Sequence, residues 1–212
     1  MQEATRGKAW CDPGTGGDQD RMFKAHLFRE STTCERCGVS KRAAEREKAR
    51  ARSGRADDTG TMHFALVKGA DFDAKTGARV DALAAAKLLL EVGFWPLWEN
   101  TPGRIVVDAG DRVCIYLTGT SSVVAHALIE KVLPWSRNFG TAYPLALGGT
   151  PELVLSLGVV EFLSSPVAAV SHVNELDCVG TNKRKWGVAF CGGMRTLTPH
   201  DYNLLTGAPA KE

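Results

Sequence analysis

Asn182-Lys183-Arg184-Lys185-Trp186-Gly187-Val188-Ala189-Phe190-Cys191-Gly192-Gly193-Met194-Arg195 sets three cations before a tryptophan, then an apolar run, a Gly-Gly pair and a further arginine. The reading of Trp186 to Cys191 decides the fold. As a strand, it is the last strand of a β-rich domain. It would also set a large aromatic beside a local positive potential, a pairing that suits a flat, anionic ligand such as a nucleotide. The opposite reading buries Trp186 in a core and leaves Lys183, Arg184 and Lys185 as a solvated turn. Residue types alone do not separate the two.

Downstream, Thr198-Pro199-His200-Asp201-Tyr202-Asn203-Leu204-Leu205 opens with a hydroxyl N-cap and a proline at the first helical position, so it predicts a terminal helix. Upstream, Val159 to Leu163 reads as a strand and Val173 to Leu176 as a short turn. Arg112 to Leu117 and Val123 to Ile129 read as two strands joined by Thr118-Gly119-Thr120-Ser121-Ser122, a hairpin by spacing and turn chemistry. Ile105 to Val107 is a short strand candidate. Phe94-Trp95-Pro96-Leu97-Trp98-Glu99-Asn100-Thr101-Pro102-Gly103, with two tryptophans, two prolines and a glycine, predicts a loop. Tryptophans in an exposed loop are costly unless they are buried or bind something. Val80 to Val92 carries apolar residues at helical spacing and closes on Gly93, and His63 to Lys68 is a strand candidate. The order is strand, helix, several short strands, terminal helix. That predicts an α+β domain whose six or so strands are most easily closed as a small barrel.

Gly110-Asp111-Arg112-Val113-Cys114-Ile115-Tyr116-Leu117-Thr118-Gly119 followed by Val123-Val124-Ala125-His126-Ala127 resembles the paired central strands of EVE domains, in the PUA-like superfamily. Asn182 to Gly187, Gly192 to Arg195 and Thr198 to Leu205 are similar to that family's C-terminal signature: a basic run into Trp, a strand, a Gly-containing turn and a short acidic helix. The resemblance covers about residues 62–206. Residues 133–152 align poorly with it, and Cys178-Val179-Gly180-Thr181 replaces a more apolar lead-in.

The resemblance implies a PUA-like β-barrel flanked by helices, and a reader of nucleic acid rather than an enzyme. EVE domains are similar to the YTH readers of methylated adenine, and they occur beside modules that restrict modified DNA. A nuclease or other defence protein is therefore an implied partner. In such relatives a flipped, modified base sits between aromatic walls. By motif position Trp95 and Trp186 are the pocket candidates here, with Trp98 next. Asn100, Thr101 and Ser121 are candidates for the base edge, and Lys183, Arg184, Lys185 and Arg195 for phosphates. Trp135 is expected to pack in the irregular stretch after the hairpin. The alternative is a non-catalytic RNA-binding accessory protein acting on transfer or ribosomal RNA. Catalysis is the third reading. It has little to stand on, because His63, His126, His172 and His200 are scattered and no motif ties them to a nucleophile or metal. Cys114 and Cys191, in predicted strands, are expected to be buried thiols.

Residues 1–41 do not share this pattern. Their apolar residues are mainly Trp10, Met22, Phe23, Leu27, Phe28 and Val39, too few to hold a fold by burial. Cys34-Glu35-Arg36-Cys37-Gly38 has the form of a zinc knuckle. Cys11 and His26 complete a tetrahedral set of Cys11, His26, Cys34 and Cys37. Four protein ligands leave no open position, so this zinc would be structural and would supply folding free energy, with Trp10 covering the module. A thioredoxin-like pair would need an α/β context that is missing, and an HNH-type nuclease would need catalytic residues after the knuckle. Residues 42–61 read as a helix-forming, then flexible, basic linker. From 41 to 61 there are seven Lys or Arg against four Asp or Glu, an arm able to touch phosphates. Residues 207–212 are a tail.

Over the full 212 residues the net charge is only +2, so any basic surface is local. No apolar run after Met1 suggests a signal peptide and none approaches a membrane span, which leads to the expectation of a soluble, cytoplasmic protein. Six cysteines in that compartment are metal ligands or buried thiols rather than a disulfide framework.

Overall fold

The computed structural model describes residues 59–207, together with Lys48, Arg50 and Asp57. Cys11, His26, Cys34 and Cys37, the proposed zinc ligands, and Trp10 lie outside the described residues, as does most of the expected linker.

From residue 59 to 207 the elements follow in order: β1 (His63–Lys68), β2 (Asp71–Phe72), β3 (Arg79–Val80), α1 (Ala82–Glu91), β4 (Phe94–Leu97), β5 (Arg112–Leu117), β6 (Ser122–Pro134), α2 (Arg137–Ala142), β7 (Leu153–Ala168), β8 (Met194–Leu197) and α3 (Pro199–Thr206). Two 3-10 segments, Ala169–His172 and Lys183–Phe190, lie between β7 and β8. Six strands form one sheet in the order β4-β7-β6-β5-β1-β8, and β2 and β3 form a separate ribbon. β1 runs parallel to β5, and every other pairing is antiparallel. A parallel pair needs a long crossover, which α1 and the chain through β4 provide. α1 forms where the sequence places it: Asp81 caps it by accepting from the Ala84 N–H (2.9 Å), and Gly93 (φ 72°) ends it.

The sheet is α+β as expected, but it is not a closed barrel. Among the described residues β4 and β8 are the edges, and the sheet is a curled half-barrel. The curl comes from the register shifts between β5 and β6 and between β6 and β7, where extra residues bend the long strands. The edges communicate through a loop instead of a ladder. A Cβ on Gly103, in the loop leaving β4, would lie 3.2 Å from Met194 Cε and from Thr196 Oγ1 of β8. One on Gly192 would lie 3.2 Å from Pro102 Cγ. Both sites need glycine for that approach and for their positive φ.

Three sequence expectations are corrected. Phe94–Leu97 is a strand, not a loop. Pro96 is tolerated because β4 is an edge, with only β7 beside it. Ile105 to Val107 is not a strand, since the Val106 and Val107 amides both fold back onto the Gly103 carbonyl (3.0 and 3.2 Å). Trp186 to Cys191 is not the last strand but part of a 3-10 segment. A strand would turn Trp186, Val188 and Phe190 to one face. Instead Trp186, Ala189 and Phe190, at helical spacing, pack inward and Val188 is 67% exposed. Cys191, expected to be buried, is exposed as a result. The hairpin β5–β6 and the terminal helix form as read. The Val159 to Leu163 strand is the middle of the much longer β7. Trp135 packs beside Phe139 and Tyr143 (ring centres 6.1 and 6.2 Å apart), within the stretch that aligns poorly.

Alternate residues of the central strands divide the core. Ala65 of β1, Cys114 and Tyr116 of β5 and Val123 of β6 join Val173, Leu176, Phe190, Tyr202 and Leu205 on one face, covered by the 3-10 segments and α3. α1 contacts β1, β4 and β5. Among the described residues no helix is long and apolar enough to cross a membrane.

Candidate nucleic-acid interface

Tyr116 is the fixed point of the aromatic group. It stands on β5, which is paired on one side with β1 and on the other with β6. Phe190 lies flat on it, with ring centres 4.3 Å apart and planes 14° apart. Trp186 meets Phe190 edge to face at 6.3 Å and 71°. Tyr116 and Phe190 are buried, while Trp186 is half-buried, so the group has one ring at the surface. Burial pushes the Tyr116 phenol's pKa up, and the neighbouring Ser121 side chain partly offsets the rise. Ser121 is the one non-glycine residue among those described with a left-handed backbone (φ 53°). Its carbonyl accepts from the Ala169 N–H (2.9 Å), which fixes the turn beside Tyr116.

The four expected phosphate ligands divide into two pairs. Arg184 and Lys185 are exposed on the same segment as Trp186. Lys183 and Arg195 are engaged in the fold. Lys183 Nζ donates to the Leu176 and Val179 carbonyls (3.1 Å each), and Arg195 Nη2 donates to the Cys178 carbonyl (2.9 Å). Arg195 Nε is buried with no hydrogen-bond partner among the described residues. The same loop gives its Asp177 and Cys178 amides to the fully buried Asp201 carboxylate (2.6 and 3.0 Å). Asp201 also completes the capping box of α3 with Thr198. Residues 176–179 are thus held by a carboxylate on one side and two cations on the other, a rigid support for the segment that follows.

The remaining predicted residues lie elsewhere. Trp95 is 3% exposed on β4, opposite Leu155, outside the cluster that holds Trp186. Trp98 is half-buried against Gly149, and its backbone amide donates to Thr101 Oγ1 (3.0 Å). Asn100 is exposed at that turn. Thr101 packs near Gly193. The tryptophan-rich loop and the C-terminal signature therefore do meet, through Thr101, Pro102 and Gly103 against Gly192, Gly193 and Met194, and not through Trp95 and Trp186. Tyr116 and Phe190 were missed from sequence. Phe190 lies four residues after Trp186, a spacing that a helical reading would have caught, and Tyr116 looked like any inward residue of a strand.

Among the described residues no cluster of three or more His, Cys, Asp or Glu could hold a metal. His126 lies 3.5 Å from Glu161 and His172 3.7 Å from Glu175. His63 is buried against Tyr202 (ring centres 4.8 Å apart) with Nδ1 unpaired.

No protein-family model and no curated protein matches the chain. Several solved structures are similar in fold. An ASCH protein from Zymomonas mobilis is 14% identical, with 70% of this chain and 96% of that one covered and a TM-score of 0.45. Human THYN1, solved in complex with DNA containing 5-methylcytosine, is 10% identical, with 72% and 99% covered and a TM-score of 0.44. The N-terminal domain of Staphylothermus marinus McrB is 8% identical, with 69% and 94% covered and a TM-score of 0.35.

Proposed function

We propose that this chain is a non-catalytic reader of a methylated or hydroxymethylated base in DNA, which it flips onto the aromatic group around Trp186. One observation carries the reading. Trp186 is half-buried over the Tyr116–Phe190 stack, with two exposed cations, Arg184 and Lys185, immediately before it on the same segment. An aromatic platform beside exposed positive charge suits a base attached to a phosphate. The energies are of matching size. Extruding a base costs a few kcal/mol, stacking returns ~1–3 kcal/mol per base, and a buried methyl adds ~0.8 kcal/mol, enough to prefer the modified base. The similarity of Asn182 to Leu205 to the EVE signature supports the same reading and adds the role of a specificity module that brings a nuclease to modified DNA.

The reading includes a structural zinc on Cys11, His26, Cys34 and Cys37. Three thiolates with one imidazole are a zinc donor set by chemistry. Metal analysis of freshly purified full chain should find one zinc per chain, and its absence removes that module.

The decisive test is binding at one fixed salt concentration to matched DNA duplexes carrying cytosine, 5-methylcytosine, 5-hydroxymethylcytosine or N6-methyladenine, and to RNA of the same sequence. One modified duplex should bind several-fold more tightly than its plain counterpart. Equal affinity for all the duplexes refutes base reading, and preference for RNA favours the accessory role in transfer or ribosomal RNA.

A further inference from the structure

Resting on the base-reading proposal, we infer that Phe190 is an internal stand-in for the ligand: it fills the stacking place on Tyr116 that the flipped base takes when residues 184–191 lift. The Tyr116 and Phe190 rings are in face contact at 4.3 Å and 14°. A flat ring inserted between them would need two van der Waals contacts in series, roughly 7 Å between the outer rings. No such gap exists in this state, so one of the two rings must leave for a base to reach the buried platform.

Tyr116 is the ring that stays. Its backbone is bonded to strands on both sides, to Val67 of β1 and to Val123 of β6. Phe190 is the ring that can go. It rides on a 3-10 segment that joins no sheet, an arrangement seldom stable beyond a turn and often a hinge. The segment breaks from helical geometry at Lys185 (φ −101°, ψ 22°), contains Gly187, and runs out into Gly192 and Gly193 at positive φ. Both ends are fixed: Lys183 to the Leu176 and Val179 carbonyls, and Gly192 against Pro102. What lies between is held by the packing of Trp186, Ala189 and Phe190.

The exchange replaces like with like, since a base on Tyr116 takes over the face that a phenyl ring gives up. The exposed Arg184 and Lys185 sit on the part that moves, so phosphate attraction acts on the strap itself. Phe190 then sets a threshold: only a base that stacks better than the protein's own ring is retained.

The experiment measures binding of the full chain and its Phe190→Leu and Phe190→Ala variants to a duplex with one 5-methylcytosine, and follows fluorine-labelled Phe190 in the otherwise wild-type chain by NMR. Phe190→Ala should bind about tenfold or more tightly, the reciprocal of an open population of about a tenth or less. The Phe190 fluorine should shift as the duplex saturates the protein, because the ring leaves the Tyr116 face. If Phe190→Ala fails to fold, Phe190→Leu, which keeps apolar bulk without a flat ring, and the wild-type fluorine signal decide. Binding with an unmoved fluorine signal overturns the stand-in and leaves base reading intact. Folded Phe190 variants that bind more weakly than wild type do the same. Variants that bind where wild type does not support the stand-in. If neither wild type nor any variant distinguishes the modified duplex from a plain one, base reading itself fails and the stand-in with it.

Discussion

Trp95 and Trp186 look equivalent in the sequence. Each is an aromatic residue in a short apolar run, next to a proline or glycine. The fold treats them oppositely. Trp95 sits on an edge strand, paired through β7 and buried to 3%. Trp186 sits on a 3-10 strap, half-exposed, with free cations beside it and a ring stack beneath it. Composition cannot tell a structural tryptophan from a recognising one. What distinguishes them is whether the backbone is tied into a sheet and whether the indole keeps one face at the surface.

Trp95→Ala is the harshest way to test that contrast. A large buried side chain is removed from a strand that has only one neighbour to hold it, and such truncations cost about 3–5 kcal/mol. For a domain of this size each kcal/mol lowers Tm by about 2–4 °C, so thermal melts should fall by roughly 6–20 °C. A melt within a few degrees of wild type would mean that Trp95 is not a core residue.

Trp186→Ala should do the reverse. Its half-buried ring contributes less to stability, so the melt should move less than for Trp95→Ala. Affinity for the modified duplex should drop by the worth of one stacked base, about 1–3 kcal/mol, or roughly 5- to 150-fold. Trp186→Phe keeps a flat face and should recover part of it. Equal losses of stability in the two alanine variants would erase the distinction between the tryptophans.

The parts of this molecule that were legible in advance are those where local chemistry and tertiary context agree. The α1 helix, the β5–β6 hairpin and the Thr198 N-cap of the terminal helix follow from residue order alone. The misread parts are those where context overrides the local signal. Pro96 argued against a strand, and only the edge position of β4 makes it harmless. The run from Trp186 to Phe190 suits strand and helix equally over so short a length, and the choice was made by which face meets Tyr116. Lys183 and Arg195 were indistinguishable from Arg184 and Lys185 as charges. Their difference lies in carbonyls of residues 176–179, brought within reach by a buried carboxylate on α3.

That division of the cations extends the comparison to charge. Arg184→Ala and Lys185→Ala should leave the melt within about 0.5 kcal/mol of wild type, as exposed surface changes usually do. Each should weaken DNA binding across all sequences and reduce the salt slope by about one. Lys183→Ala should instead leave the Leu176 and Val179 carbonyls without their donor, at about 1–3 kcal/mol of stability. Measured slopes that change for Lys183→Ala and not for Arg184→Ala would reverse the assignment.

The gentlest test concerns His63, on the same face of the sheet as the aromatic group through its contact with Tyr202. Burial holds its pKa below the usual histidine value. The nearby Arg112 adds to that depression, while Asp57 and Asp111 oppose it. The folded state therefore binds a proton less readily than the unfolded chain. As pH falls below about 6.5 the unfolded state takes up the proton first, so the stability that neutral His63 contributes, present above that pH, is lost as the pH drops toward the folded value. Chemical denaturation at pH 7.5 and at pH 5.5 should show wild type weakening toward acid by more than His63→Gln does. Carboxylates add their own acid dependence to both proteins, so the difference between the two curves isolates the imidazole. Parallel curves would mean that His63 is solvated in the folded protein, and that its contact with Tyr202 does not exclude water from the ring.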